Sequence, residues 1–139
     1  MSSEAFLERL RQTVLADGFA PLLGIEPVRC FEGEAERVIT LRDDLRQHHG
    51  FAHGAVIGAA ADSACAWAAA SVAGDVVTAS YTLHLVAPAT GERLRAFGVV
   101  QAGGKRQLTV RADVFSEVGD ERSLVATALA SIARVQAKS

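Results

Sequence analysis

The segment from His53 to Ala73 constrains the fold most, because it reads HGAVIGAAADSACAWAAASVA and carries one carboxylate. Its alanine content favours a helix, and its small side chains let other backbone approach that helix closely. A run near twenty residues could also span a bilayer. A central Asp is costly in lipid, and the run contains mainly Ala and Gly. We therefore predict a central helix over residues 53–73 that is buried in protein, with no membrane partner.

That carboxylate, Asp62, needs an explanation, because an unpaired charge in an apolar helix is expensive. Titratable groups in such positions often act on something outside the helix. A buried acid can also serve only to satisfy a neighbouring backbone group. The sequence leaves both roles open.

The whole chain has 139 residues, 50% of them hydrophobic, which predicts a single domain over residues 1–139. A net charge of -2 argues against nucleic acid or anionic lipid as a partner. Cys30 and Cys65 lack a paired spacing, so we expect reduced thiols. The start, SSEAFLERLRQ, has no secretory pattern. These features together predict a cytoplasmic protein.

A short amphipathic helix is predicted within residues 1–18. Ser2 or Ser3 caps its start, and Gly18 ends it. Its apolar stripe consists of Phe6, Leu10 and Val14. Farther along, Asp43 and Asp44 are interpreted as a solvated cap over a short turn rather than as catalytic acids.

Strand patterns occupy most of the remaining chain. GIEPVRCF and EAERVITL flank Glu32-Gly33, which predicts a hairpin. Four further period-two segments follow the central helix: VVTASYTLHLVA, ERLRAFGVVQA, QLTVRADVFSEV and SLVATALASIARV. The last segment also fits a helical pattern, and the preceding strands favour a strand. We predict an α+β fold in which an antiparallel sheet wraps around the central helix.

A family resemblance rests on Gln47, Gly50, His53-Gly54 and Asp62, followed by TASYTLHLVAPATGE and GGKR. These residues resemble the hotdog-fold acyl-CoA thioesterases of the phenylacetate-degradation (PaaI-like) and thioesterase-superfamily-member-2-like group, over residues 20–135. The resemblance implies hydrolysis of an acyl-CoA or aryl-acyl-CoA without metal or redox cofactor. Two positions depart from the pattern, with Gln47 in place of Asn and Ala55 in place of Gly.

The resemblance assigns Asp62 as the nucleophile or general base, and Gly54 as a backbone donor to the thioester oxygen. Free N–H groups and the positive dipole at a helix start suit developing negative charge. A thiol of pKa about 8.5 leaves readily, so one carboxylate can suffice. Gly54 could instead be a packing glycine.

Secondary roles follow from the same resemblance. Gln47 orients substrate or water, Gly50 and His53 belong to the substrate-binding loop, and Thr78 assists the carboxylate or water. Thr78 could also belong to an ordinary polar strand face with Ser80, Thr82 and His84. The coenzyme A phosphates would contact a turn formed by Gly104, Lys105 and Arg106, which could equally be a solvated turn.

Other reactive residue types receive simpler interpretations. His48, His49 and His53 lack a zinc-binding pattern, so no metal site is predicted. Cys65 is expected to pack as a small hydrophobe and Trp67 to lie in the core or an interface.

Helix geometry predicts the assembly. Eight residues from Gly54 to Asp62, at a rise of about 1.5 Å each, put them about 12 Å apart. One carbonyl cannot contact both within a single chain, so we expect a homodimer with sites shared across a two-fold axis. The resemblance implies pairing of dimers into a homotetramer. Alternatives are a non-catalytic acyl-CoA binding or sensing module, and a hydratase, for which no paired Asp and His is evident.

Overall fold

The structure is a computed structural model that describes residues 2–135, with the side chain of Val14 excepted. Met1 and residues 136–139 of the predicted domain, and the Val14 member of the predicted stripe, therefore lie outside the described residues. The helices are α1 (Ser3–Ala16), α2 (Phe19–Leu23), a 3-10 helix (Asp43–Leu45) and α3 (Gly54–Ala73). The strands are β1 (Ile25–Phe31), β2 (Glu34–Thr40), β3 (Val76–Leu85), β4 (Arg93–Gly103), β5 (Gln107–Val118) and β6 (Glu121–Arg134).

The six strands form one antiparallel sheet in the order β1-β2-β4-β5-β6-β3. β1 and β3 are therefore its two edge strands. Helix α3 packs against all six strands, so the predicted arrangement of a sheet around a long helix is confirmed. The ambiguous segment at the end of the chain is a strand, as predicted, because β6 pairs with β5 on one side and β3 on the other.

Helix α3 begins and ends where its flanking residues predict. The Ala55 N–H donates to Nδ1 of His53, which caps the helix, and Gly74 adopts a positive φ of 76° at its end. A Cβ on Gly98 of β4 would clash with the Ala64 carbonyl, so glycine lets the strand lie directly on the helix. The length and composition of α3 would suit a membrane span, yet half of its most apolar window is buried. It is the core helix of this fold.

The N-terminal region has one feature that the sequence patterns missed. Helix α1 forms as predicted, with the Ala5 N–H donating to Oγ of Ser2 over 3.1 Å. The short helix α2 then precedes β1 and ends at Gly24, whose φ is 73°. Its sequence, FAPLL, is apolar but too short to show a helical period.

The predicted cap at Asp43 and Asp44 is wrong. Arg42 occupies the capping position of this 3-10 helix, and no side chain makes a cap hydrogen bond there. Asp44 instead accepts a hydrogen bond of 3.0 Å from Nε of Arg42. Both acids are exposed, as expected.

Candidate active site

The first part of the site is a cleft at the start of α3. Its volume is about 400 Å³. Gln47 and Gly54 both line it, together with Ile57 and residues 85–89 at the end of β3. The structure therefore brings two of the predicted site residues together.

Gly54 is the first residue of α3, where backbone N–H groups have no acceptor inside the helix. The next N–H, that of Ala55, is already bonded to the His53 ring. A Cβ on Gly54 would come within 3.3 Å of Cδ1 of Leu85, so glycine keeps the cleft open beside its own N–H. The arrangement can donate a hydrogen bond to an oxygen in the cleft.

Gln47 belongs to a tight loop before α3. The Gly50 N–H donates to the Gln47 carbonyl over 2.9 Å, and Gly50 has a φ of 91° that favours glycine. The Oε1 atom of Gln47 accepts from the His49 N–H. Among residues 2–135, no acceptor bonds its Nε2 group, which remains a donor at the cleft. The roles of Gln47, Gly50 and His53 in substrate binding stay predictions.

Arg46 holds this loop in place, and sequence reasoning missed it. Its Nη1 atom donates to the Gly50 carbonyl over 2.9 Å, and its Nη2 atom donates to the carbonyls of Leu41 and Gly91 over 3.2 and 2.8 Å. Arginine satisfies three backbone acceptors because its donors form a rigid fork. The contact to Gly91 spans 45 positions, so no local pattern reveals it.

The second part of the site is a side-chain pair. Oγ1 of Thr78, on β3, donates to Oδ1 of Asp62, on α3, over 2.6 Å. Both side chains are half-buried. Within the described part of the chain Asp62 forms no ion pair, and the Thr78 hydroxyl is a neutral hydrogen-bond donor to its carboxylate.

Cys65 lies one turn from this pair and is fully buried. Burial raises the pKa of its thiol to about 12, and the charge of Asp62 adds to the increase. The thiol is therefore neutral near pH 7, and it points to the Val110 carbonyl at 3.7 Å. Such a group has little nucleophilic character.

The two parts are separate within one chain. Gly54 and Asp62 are eight residues apart on a continuous helix, a distance of about 12 Å along its axis. Asp62 and Thr78 are absent from the lining of the cleft at Gly54. Over the residues described, no single subunit presents Gln47 and Gly54 to the same reacting carbon as Asp62 and Thr78.

The predicted phosphate-binding residues form the turn between β4 and β5. The Gly104 N–H donates to the Gln107 carbonyl over 2.8 Å, and Lys105 and Arg106 are exposed. Nε of Arg134 donates to the Gly104 carbonyl over 3.1 Å, which adds a third cation that the sequence analysis did not single out. This turn lies at the Thr78 end of the sheet, since Thr78 pairs with Ile132 and Ile132 pairs with Leu108.

The histidines of the loop before α3 contact aromatic neighbours. The rings of His48 and His49 lie 4.0 Å apart, and His49 stacks on Phe51 at 5.8 Å. Over residues 2–135, no three His, Cys, Asp or Glu side chains are grouped as a metal site requires. A metal-independent reaction stays a prediction.

Comparison with known proteins identifies the class. A family model described as the thioesterase superfamily matches residues 49–123, more than half of the chain. The chain therefore belongs to the thioesterase superfamily, and within it the solved structures identify a PaaI-like hotdog fold. The predicted family and fold are confirmed.

Three solved structures illustrate the likeness. A mutant of the phenylacetic acid degradation protein PaaI from Thermus thermophilus is 32% identical, with a TM-score of 0.77, and the match covers 86% of this chain and 100% of that one. A thioesterase family protein from Silicibacter pomeroyi is 25% identical, with a TM-score of 0.85 and coverage of 91% and 95%. The E. coli PaaI protein, at 23% identity, a TM-score of 0.83 and coverage of 93% and 92%, shares the fold. A search of curated proteins found no match.

Proposed function

We propose that the protein hydrolyses an acyl-CoA or aryl-acyl-CoA thioester to the free acid and coenzyme A, at sites shared between two copies of the chain. Asp62 acts as the base or nucleophile, and the N–H of Gly54 from the second copy binds the thioester oxygen. The observation that carries the proposal is the Asp62–Thr78 hydrogen bond, in which Asp62 lies about 12 Å along α3 from Gly54.

An unpaired strand edge supports the shared site. β3 bonds to β6 on one side, and its other edge has no strand partner among the described residues. Three large side chains of β3, Val77, Tyr81 and Leu85, are 56%, 42% and 55% exposed. Edge strands that avoid pairing with another chain often carry charged side chains instead. A second copy of the same strand would cover this edge.

Antiparallel pairing of β3 with β3 of a second copy would bring the Asp62–Thr78 pair close to Gly54. An antiparallel pair centred between Tyr81 and Thr82 sets Thr78 of one copy opposite Leu85 of the other. Leu85 lies beside Gly54 in its own subunit. The Asp62–Thr78 pair of one copy would then face the cleft of the other, and two equivalent sites would result.

The chemistry requires few groups. Asp62 either removes a proton from water, whose oxygen bonds to the carbonyl carbon, or bonds to that carbon itself and is then released by water. The C–S bond breaks in either route, and coenzyme A leaves as a thiolate that takes up a proton. The Thr78 hydroxyl engages Oδ1 and leaves Oδ2 for the reaction. The Gly54 N–H stabilises the charge on the thioester oxygen.

The cationic turn would hold the coenzyme A end of the substrate. Lys105 and Arg106 are exposed, and Arg134 is bonded to the same turn. Cations at an exposed turn suit phosphate groups. Assembly of dimers into a tetramer is proposed on the resemblance, and sedimentation velocity tests it.

Replacement of the carboxylate tests the central role. Asp62→Asn keeps the volume and the acceptor for Thr78, and removes the negative charge. Release of free thiol from a panel of acyl-CoAs should fall at least about a hundredfold, because a general base contributes about 10² to 10⁴ in rate. Asp44→Asn, at an exposed acid, is the control and should match wild type. Equal hydrolysis by Asp62→Asn and wild type would end the proposed role.

One observation favours a second candidate, a non-catalytic acyl-CoA binding or sensing module. The Oε1 atom of Gln47 is engaged by its own loop, at the position where the related group carries Asn. Such a module would bind acyl-CoA saturably and release no thiol in the same assay.

A further inference from the structure

A second cavity, of about 540 Å³, lies between α1 and the C-terminal half of α3. It is larger than the cleft at Gly54. Helix α1 contributes Phe6 and Leu10 to its lining, and α3 contributes Ala66, Trp67 and Ala70. Neither Asp62 nor Gly54 lines this cavity.

The cavity continues the Asp62 face of α3. Ala66 and Ala70 follow Asp62 at intervals of four residues, so all three lie along one side of the helix. On β3, Val76 also lines the cavity and precedes Thr78 by two residues, on the same side of the strand. The space therefore begins one helical turn beyond the carboxylate, in the direction away from Gly54.

We infer that this cavity holds the acyl group of the substrate and selects thioesters with a bulky apolar acyl group, as a chain or a ring, over acetyl. The inference rests on the proposed function, because it places the thioester carbonyl at Asp62. Helix α1 is the outer wall that limits acyl size, although it lies outside residues 49–123 of the family match.

Size and surface chemistry fit such a group. A cavity of about 150 Å³ lined by apolar side chains binds benzene, so this space accommodates far more than a methyl group. Alanines on α3 leave room, while Phe6 and Trp67 offer aromatic surface. Arg9, Thr13 and Asp75 also line the cavity, so its interior is mainly but not wholly apolar.

Trp67, which lines the cavity, also contacts Arg37. Cζ of Arg37, on β2, lies 5.7 Å from the centroid of the indole ring, a cation–π distance. Arg37 is 1% exposed, and burial lowers the pKa of its guanidinium to about 10. The group is therefore still cationic at neutral pH, and its contact fixes the ring beside the cavity.

A variant with a narrower cavity tests the inference, because it should change the preference among acyl groups. Ala70→Leu should lower kcat/KM for decanoyl-CoA and phenylacetyl-CoA at least about tenfold and leave propionyl-CoA unchanged, since a single methylene in an apolar pocket changes kcat/KM by about 10- to 200-fold. Comparison of the decanoyl and phenylacetyl arms shows whether chains or rings fit better. Ala5→Leu, at an exposed position of α1, is the matched control. Equal losses on all three substrates, or no loss on any, would overturn the inference.

A binding measurement separates this inference from the catalytic proposal. Trp67 is the single tryptophan of the chain, so its fluorescence reports on occupancy of the cavity. In Asp62→Asn protein, decanoyl-CoA should change the fluorescence saturably, and Ala70→Leu in the same background should weaken that binding about tenfold. If the fluorescence changes saturably but wild-type protein does not hydrolyse the substrate, only the proposed thioesterase activity is contradicted. Asp62-dependent turnover without any fluorescence change would contradict only the acyl cavity.

Discussion

Thr78, on the edge strand β3, donates a hydrogen bond of 2.6 Å to the carboxylate of Asp62 in the middle of the core helix. This contact explains how an apolar helix tolerates a charge, because half-burial and a strong donor lower its cost. It also orients the carboxylate at the strand edge that a second copy would cover.

Removal of that donor should reduce catalysis more than stability. A hydrogen bond to a charged group contributes about 1.5 to 3 kcal/mol, so Thr78→Val should lower kcat by roughly ten- to a hundredfold. Thr78→Ser keeps the hydroxyl and should restore most of the rate. Thr40→Val, at an exposed position of β2, is the control and should match wild type. Steady-state thiol release checks this, and full activity in Thr78→Val would contradict the positioning role.

Close contact between β4 and α3 should make Gly98 sensitive to any added side chain. In Gly98→Ala the new Cβ meets the Ala64 carbonyl, so the strand or helix must shift. Overpacking of this kind costs about 1 to 3 kcal/mol. Gly103→Ala, also on β4, places its new Cβ 3.9 Å from Leu108, an ordinary contact, and should be nearly neutral. Urea unfolding compares the two, and equal midpoints would contradict the packing described.

The sheet contains a cluster of charges around Glu117 that should govern acid stability. Nε of Arg93 and Nε of Arg95 each donate to its carboxylate over 2.8 Å, and Nη2 of Arg122 lies 3.1 Å from Oε2. Burial raises the pKa of Glu117, but the hydrogen bonds from Arg95 and Arg93 and the charges of Arg95 and Arg122 together outweigh burial and hold that pKa below its ordinary value. The stabilisation is therefore complete above the unfolded value and is lost as the pH falls through the folded one.

Glu117→Gln should lower the free energy of unfolding at pH 7 by about 3 kcal/mol, because it removes the counter-charge of Arg93 and Arg122 and leaves Arg95 paired with Glu36 alone. The difference from wild type should shrink as the pH drops below about 4. Glu121→Gln, at an exposed acid, is the control. Urea titrations at several pH values measure both effects, and a pH-independent difference would argue against the ionised cluster.

Both cysteines should be unreactive in the folded protein. Burial raises the pKa of Cys30 to about 11, against a smaller opposing effect of the Arg37 charge, and that of Cys65 to about 12. Native protein should react with a thiol reagent at about pH 8 far more slowly than urea-unfolded protein. Since unfolded thiols ionise near pH 9, stability should fall as the pH rises from 9 towards 11. Rapid labelling of two thiols in native protein would contradict this burial.

Sequence periodicity was sufficient for the fold but not for every local element. The core helix, the hairpin around Glu32-Gly33 and the later strands follow from spacing and turn residues, and all form. Helix α2 was missed because five residues are too few to show a period. The prediction that Asp44 caps the turn was wrong, because its carboxylate bonds to the Arg42 side chain instead of a backbone N–H.

The candidate site residues could be named from the sequence, but their contacts in the structure could not. Asp62, Gly54 and Gln47 could be identified from motif spacing, and helix rise alone separates the first two. The contact from Thr78 to Asp62 depends on how β3 registers against α3, and the contacts of Arg46 and Arg134 join distant parts of the chain. Such registers are set by tertiary packing, which one sequence does not display.

The most direct test of the shared site mixes two inactive variants. Asp62→Asn lacks the carboxylate, and Gly54→Pro lacks the N–H at a first helical position that tolerates proline. If the two groups act from different copies, a heterodimer contains one intact site, and unfolding and refolding an equimolar mixture should restore about a quarter of wild-type thiol release. Activity no greater than that of the separate variants, with heterodimers shown to form, would contradict a site built from two copies.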